Sequence, residues 1–581
     1  MKEKLFEPLK YFEEEAAELH ARNIHAYFNE LVEKSGINAD ENRKTVKNYD
    51  EQTALAEGLE KKLKKYKAVR GLLIALMIIG IVVFALSFTM FSSNVFAAIL
   101  MLILGSGAAA AAIFFWVKKI NPIIKDTNAI REEHLKKAQE YLDLAYEQMR
   151  PLNNLFDDTD TLRLIEKTIP EIKFIKKFSK EHEKFLNDKH NFIDIMDEDS
   201  SVINTLAGTL CDNPFLFYRY KQHYEGTETY EGSLVIEWTE TYRDSNGDLR
   251  TRTRTQTLYA TVVKPKPFYR YSTSLGYGCQ AAPDLSFSRE SEHLEQLNDK
   301  QIAKKVKKGE KELQKQAKRA LKEGGDFQEM ANSEFDVLFG ATDRDHEVQF
   351  RVMFTPLAQT NMVALLRSRI GFGDDFNFIK RGRYNLIQTD HGQEWDMNTN
   401  AENYQHYNID VARERFSTFN NTFFKSVYFD FAPLMSVPAY LNSPVASMEA
   451  PAGAEGYFTY YEHEALANAI GEDVFAHEET ATDVILKTQL AHTGNKHDDV
   501  IVTAHSFMAV ERIDFVPVLG GDGYMHDVPV PWIEYIPVEK ATVMTLDELD
   551  YSEKEFKEKP DTVSSLSAPW AYMHGILAHI K

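Results

Sequence analysis

Two uninterrupted apolar runs dominate the hydrophobic pattern: GLLIALMIIGIVVFALSF, Gly71 to Phe88, and VFAAILMLILGSGAAAAAIFFWV, Val95 to Val117, joined by TMFSSN. Neither contains a charged residue, and each comes close to the roughly 20 residues a helix needs to cross about 30 Å of hydrocarbon. In lipid only a helix satisfies its own backbone, so residues 71–117 are expected to form a transmembrane hairpin turning at Thr89 to Asn94. A core helix of a soluble protein would carry a polar face, which these runs lack. Lys61, Lys62, Lys64, Lys65, Lys67 and Arg70 precede the first run, and Lys118, Lys119 and Lys125 follow the second. The positive-inside rule then places both termini in the cytoplasm and the hairpin in the cell's inner or plasma membrane.

The flanks read as helices. Leu5, Leu9, Phe12, Ala16, Leu19, Tyr27 and Leu31 recur every three or four residues, an amphipathic stripe ending near Gly36. From about Asp40, Val46, Tyr49, Leu55, Leu59, Leu63 and Tyr66 lead into the first span past Gly58 alone, so cytoplasmic and membrane helix are expected to be one rod. Asn121-Pro122 predicts a kink, after which Ile130, Leu135, Ala138, Leu142, Ala145 and Met149 resume the period. A further helix is expected over 158–187, interrupted at Ile169-Pro170. Residues 1–70 and 118–199 would thus build an antiparallel bundle or coiled-coil stalk around the membrane insertion.

From about residue 200 the period shortens to two. In GSLVIEWTETYRDSNGDLRTRTRTQTLYATVV, Gly232 to Val263, two alternating runs flank Asn246-Gly247, a strong hairpin signal. A two-residue turn there sets Trp238 opposite Thr255 and Tyr242 opposite Thr251, with Thr239/Arg254 and Thr241/Arg252 on the other face. Arg250, Arg252 and Arg254 form a basic row that either meets phosphates or an acidic partner surface or, the favoured reading, belongs to a solvated face balanced by Glu237 and Asp248. Residues 289–323 turn helical again, with Lys304, Lys308, Lys311 and Lys315 on one stripe and Ile302, Val306, Leu313, Ala317 and Leu321 on another. That helix docks its apolar side on the protein or lies on an anionic leaflet.

Residues 370–545 read as strands and loops with a few helices, and Pro433, Pro438, Pro444 and Pro451 restrict the middle of this stretch to short edge strands or irregular structure. Residues 546–581 read as a polar linker and a short apolar C-terminal helix carrying Trp570 and Tyr572, a further candidate membrane or partner contact. The expected fold is an α+β membrane protein: N-terminal helical bundle, two-helix transmembrane hairpin, then a β-rich α+β cytosolic domain over 200–545 with a subdomain break near 289–330.

Within NSEFDVLFGATDRDHEVQFRVMFTPLAQTNMVALLRS, Asn332 to Ser368, an acidic turn at Asp343-Arg344-Asp345 precedes an expected strand, Val348 to Phe354, and Thr355-Pro356 opens a helix. The Phe335/Phe339 pair, Asp343, the run ending Phe354-Thr355-Pro356 and the helix Leu357 to Leu366 resemble a family of uncharacterised bacterial membrane proteins. The resemblance covers about forty residues together with the hairpin topology. It implies two N-terminal spans and a cytosolic α+β domain, and carries no chemistry.

A net charge of −21 argues against a general nucleic-acid binder. Cys211 and Cys279, far apart and outside any CxxC, indicate neither a disulfide framework nor a zinc site. Phosphate-loop, GxGxxG, GxSxG and HExxH motifs are missing. The candidate metal ligands are His492, His497, Asp499 and His505 in AHTGNKHDDVIVTAH, imidazoles and carboxylates that suit a divalent ion. His463-Glu464 and His477-Glu478-Glu479 form a weaker group, and His391 and Glu394 read as turn residues. In the spans, Gly105/Ala109 and Gly107/Ala111 hold the small-xxx-small spacing that lets helices approach closely, against the first span or in a homo-oligomer. No ionisable residue marks an ion path.

The reading that follows is a non-enzymatic membrane-anchored scaffold, with the lipid bilayer and a protein as partners and no cofactor. The alternatives are a membrane-tethered metal-dependent hydrolase using the histidines of 492–505, and an oligomerising membrane effector.

Overall fold

The computed structural model describes residues 2–91, 94–175, 178, 180, 183–184, 198–444, 457–549, 566, 568–573 and 575–580. Helix α1 (Ala17–Ser35) stops at Gly36, whose φ of +64° a side chain would resist, and Asn38 then caps α2 by accepting from the Glu41 N–H. Helix α2 (Ala39–Met90) runs 52 residues, so the polar segment and the first apolar run are one rod. After Asn94 comes α3 (Val95–Phe115), a π-helical turn (Trp116–Ile120), and α4 (Asn121–Asn153). Pro122 cannot donate to the carbonyl four residues back and its ring crowds that carbonyl; the π turn absorbs the missing bond and the helix continues. Both apolar helices are long enough to cross a membrane, and only 11% and 22% of their apolar windows are buried.

Residues 24–158 and 400–419 form one of two units. Its seam runs at seven-residue intervals through buried Ala98, Gly105 and Ala112 of α3 and Ala138, Ala145 and Leu152 of α4, against Ala56 and Leu63 of α2. Small residues let the backbones touch: a Cβ on Gly80 would stand 2.9 Å from the Gly105 oxygen. Asn42 joins residues 400–419 to α2, donating to the Tyr407 carbonyl at 2.9 Å and accepting from the Ile409 N–H at 3.1 Å.

The second unit comprises 1–23, 159–399 and 420–581. Its helix α5 (Asp160–Thr168) ends before Pro170, and β1 (Ile172–Ile175) follows, so the helix expected over 158–187 is shorter, its remainder lying partly outside the described residues. An antiparallel sheet in the order β1-β2-β3-β4-β7-β6-β5 uses β2 (Ser200–Leu210), β3 (Asn213–Arg243), β4 (Leu249–Gly278), β5 (Ser286–Arg289), β6 (Phe376–Arg381) and β7 (Tyr384–Thr389). A second sheet, β11-β12-β10-β9-β8, uses β8 (Ile485–Gly494), β9 (His497–Leu519), β10 (Met525–Glu548), β11 (Trp570–Met573) and β12 (Ile576–Ile580).

The expected C-terminal apolar helix is therefore a hairpin. Gly575, at φ +86°, permits the turn, and β12 adds to β10. The strand expected at Val348 to Phe354 is likewise a helix. Helices α6 (Asp299–Glu323), α7 (Ser333–Phe339), α8 (Glu347–Met353) and α9 (Pro356–Arg367) surround a cluster in which Phe335, Phe339, Phe350 and Phe354 pack against Phe287 of β5 and Phe378 of β6. Four-residue spacing from Phe350 to Phe354 puts both rings on one helical face; a strand would set Val348 and Val352 on that same face and could not expose them while burying the two rings. The proline-rich stretch expected as short edge strands or irregular structure is instead the end of α10 (Ile409–Met435), with Pro433 in its last turn, and the helix Pro438–Asn442, while Pro451 lies outside the described residues.

The NG turn predicts the right hairpin with the wrong register. Asn246 does not take positive φ, and the loop instead closes through Asp244 N–H to Asp248 O and Gly247 N–H to Asp244 O, both 2.9 Å. Trp238 consequently faces Arg254 and Tyr242 faces Arg250. The far halves of β3–β4 and β9–β10 pack face to face through Ile236, Leu258, Ala260, Val528 and Val530. Gly232 lies so close to Pro529 that a Cβ would stand 2.1 Å from its oxygen. Lys264 adds an ion pair to Asp514 at 2.6 Å and lies 4.1 Å from the Trp532 ring centre. Strand β3 has 31 residues, about 100 Å of extended chain, and the two-ribbon arm takes its far half. Helix α11 (Tyr460–Ile470), held by a Thr459/Glu462 capping box, fills the space between the sheets: Tyr461 and Ala465 face the first, Leu466 and Ala467 the second.

Candidate functional site

The proposed metal ligands do not come together. His492 pairs across the ladder with Asp499, and His497 places Nδ1 2.7 Å from Asp547 and Nε2 3.4 Å from Asp499. His505 lies eight residues further along β9, about 26 Å away, beside Glu539 at 3.0 Å. Among the described residues no group of three or more His, Cys, Asp or Glu is placed to hold a metal ion, and these four do not fit one. Asp498 points inward instead. It accepts from the Tyr457 and Phe458 N–H groups, from Thr493, and from His463 Nε2 at 3.1 Å, uniting two groups that the sequence kept apart. Burial opposes that charge, but the bonds from His463, Thr493 and the backbone hold its carboxyl down at about 2.

Two charge clusters staple the sheet unit. Buried Glu464 accepts from the Val202 N–H at 2.8 Å and pairs with Lys487 at 2.8 Å and with the Tyr460 hydroxyl, tying β2, α11 and β8 together. Arg344, buried under the Phe327 and Phe350 rings, pairs with Asp336 at 2.6 Å and Glu347 at 2.8 Å. Its neighbours Asp343 and Asp345 accept from the Ser288 and Ser286 N–H groups, occupying the open edge of β5.

The most built-up polar site is the loop 390–398, which the sequence marked only as a turn. His391 donates from Nδ1 to Asp375 at 2.6 Å and approaches Asp430 at 3.4 Å, with Phe372 stacked on its ring at 3.8 Å. Burial depresses its pKa, yet Asp430 and Asp375 outweigh this and the net shift is upward. Burial pushes the Asp430 carboxyl up to about 6. At the other end of the loop, Arg219 of β3 donates to the carbonyls of Gly392, Gln393 and Trp395. This pinned loop supplies Asp396 and Asn398 to an open pocket of about 400 Å³, lined also by Arg219, Asn204, Tyr271 and Met573. No protein-family model, curated protein or solved structure matches the chain. With both imidazole nitrogens facing carboxylates and a ring stacked above it, His391 is engaged as an internal cation, and among the described residues the pocket brings no nucleophile beside a base.

The remaining sequence candidates are surface features. Lys304, Lys308, Lys311 and Lys315 are exposed along α6, while Ile302 and Leu313 are buried and Gly309 lies against Val337 of α7. Leu321, expected on the docked stripe, is 82% exposed. Trp570 and Tyr572 lie on edge strand β11. Gly105 packs on Phe84 and Gly80, with Ala109 beside Gly80, whereas Gly107 has no neighbour within 4 Å and Ala111 is exposed. Arg252 and Arg254 both bond Glu240, and Arg250 bonds Asp244, so the arginine row is internally balanced. Among the described residues the strongest unbalanced charge that the sequence reading identified is the lysine face of α6.

Proposed function

We propose that the chain is a membrane-anchored interaction protein: 71–117 crosses the cell's inner or plasma membrane as a hairpin, both termini are cytoplasmic, and the sheet unit offers its two-ribbon arm to a protein partner. The observation that carries the reading is the exposure of Leu72, Ile78, Ile79, Phe96, Ile103, Leu104 and Phe114 on helical runs with no polar face. In water this surface would exceed the apolar patches soluble monomers tolerate; in lipid it costs nothing. The arm supports the interaction half. It packs Ile236, Leu258, Ala260, Val528 and Val530 between its two ribbons and leaves Val235, Tyr259, Ile513 and Phe515 exposed on their outer faces, apolar side chains that a partner would cover.

A protease added outside intact cells should leave a C-terminal tag whole, and should remove it in inverted vesicles. Digestion in intact cells would sink the topology. Crosslinking from Val235 or Tyr259, both exposed on the outer face of the arm, should then retain a discrete protein that an armless chain does not.

A further inference from the structure

We propose that the lysine face of α6 binds the anionic headgroups of the same membrane that the apolar hairpin enters; this rests on the membrane reading above. Ten Lys and Arg side chains stand against four carboxylates between Asp299 and Glu323, in a chain whose net charge is −21. Lys300, Lys304, Lys311, Lys315 and Lys322 are exposed and form no ion pair with another described residue, while Lys308 meets Glu312 only at 3.8 Å. Nine of the ten cations are Lys, and the exception is Arg319. Ammonium groups act as point charges toward a diffuse anionic surface, whereas pairing with the carboxylates of a protein partner favours the forked guanidinium. The inner leaflet is such a surface, and a basic helix close to it is attracted residue by residue.

The helix is also held ready. An Asn298/Gln301 capping box fixes its start, Gly324 in the left-handed region ends it, and Gly309 against Val337 keeps its other side on the protein. Leu321 projects beside Lys318 and Lys322, an apolar side chain suited to the headgroup boundary.

Cys211 and Cys279 are buried, so in the full chain a single Gln314→Cys substitution on α6 provides the one exposed thiol for a fluorophore among the described residues. The labelled protein is placed in nanodiscs containing brominated lipid, either phosphatidylcholine alone or with about 30% phosphatidylglycerol. Quenching is expected with phosphatidylglycerol, falling roughly tenfold in phosphatidylcholine, on replacing Lys304, Lys308, Lys311 and Lys315 by Gln, or at about 1 M salt. Equal quenching in both lipids, no quenching with phosphatidylglycerol, or indifference to the Gln substitutions overturns the proposal. So does a response to single-stranded RNA but not to phosphatidylglycerol. If the chain enters nanodiscs without quenching, only the lysine contact fails; if it does not enter them, the anchoring reading fails and takes this inference with it.

Discussion

His391 illustrates how much one side chain can hold. It links Asp375 ahead of β6, Asp430 of α10 and the loop that floors the pocket. A histidine whose folded pKa is raised contributes stability in full below its unfolded value near 6.5, and the contribution is lost as pH rises through the folded value. Asp430 acts in the same sense: with its carboxyl at about 6, its contribution is complete below the unfolded value near 3.9 and gone above 6. The melting temperature of the sheet unit should therefore fall as pH rises from about 5 to 8, followed by near-UV circular dichroism. Asp430→Asn should flatten that slope. At pH 7 His391→Phe should cost about 3 kcal/mol, because it leaves the buried Asp430 and the half-buried Asp375 without their cation. An unchanged slope in Asp430→Asn would remove the cluster from the account.

At the scale of elements, close backbone contact and edge protection decide the packing. A Leu at Gly105 would drive carbon into the Phe84 nitrogen, 2.7 Å from the position of its Cβ, so Gly105→Leu should part α2 from α3 and lower the melting temperature in detergent by several degrees. Gly107→Leu, with nothing within 4 Å, should not; a change in oligomer size by light scattering in that variant alone would reveal self-association through the outer face. In the arm, Gly232→Val should split the ribbons at Pro529 and open β3–β4 to limited proteolysis near Trp238, while the globular part resists. The prolines carry a second device. Pro265, Pro267, Pro517, Pro529, Pro531 and Pro537 all occupy odd positions of the two ladders, a single class of cross-strand pair. In that class the N–H would point away from the partner strand, so each proline removes a donor from an open edge and blunts it against a third strand.

For the whole molecule the choice of solvent is the governing question. Ile79 and Ile103 are 59% and 61% exposed on the two apolar helices. If lipid surrounds them, Ile79→Lys with Ile103→Lys should cost about 2.5–3.5 kcal/mol of insertion per site and shift the chain out of the carbonate-resistant membrane fraction. Were these helices in water, the same lysines would improve solubility and leave the fold alone.

The extent to which all this was legible from residues differs with range. Uncharged length marked both apolar helices, and period-two alternation marked the β3–β4 hairpin, because each signal is local to the segment that carries it. The register of that hairpin was not legible: Asp244 bonding Asn246 and Asp248 competes with the two-residue turn, and the winner depends on loop geometry. Val348 to Phe354 and the C-terminal APWAYMHGILAHIK have strand-like and helix-like composition respectively, and each was reversed by what it packs on, an aromatic cluster and the end of β10. The same holds for chemistry. His492, His497, Asp499 and His505 are close in sequence but spread along an extended strand at about 3.3 Å per residue, whereas His391, Asp375 and Asp430 come from three elements and meet only in the folded chain. Sequence by itself determined the apolar spans, the long helices and the lysine stripe, since those depend on near neighbours; tertiary structure alone decided strand register, the pinned loop and which carboxylates share a cation, since those depend on residues that folding brings together from far along the chain.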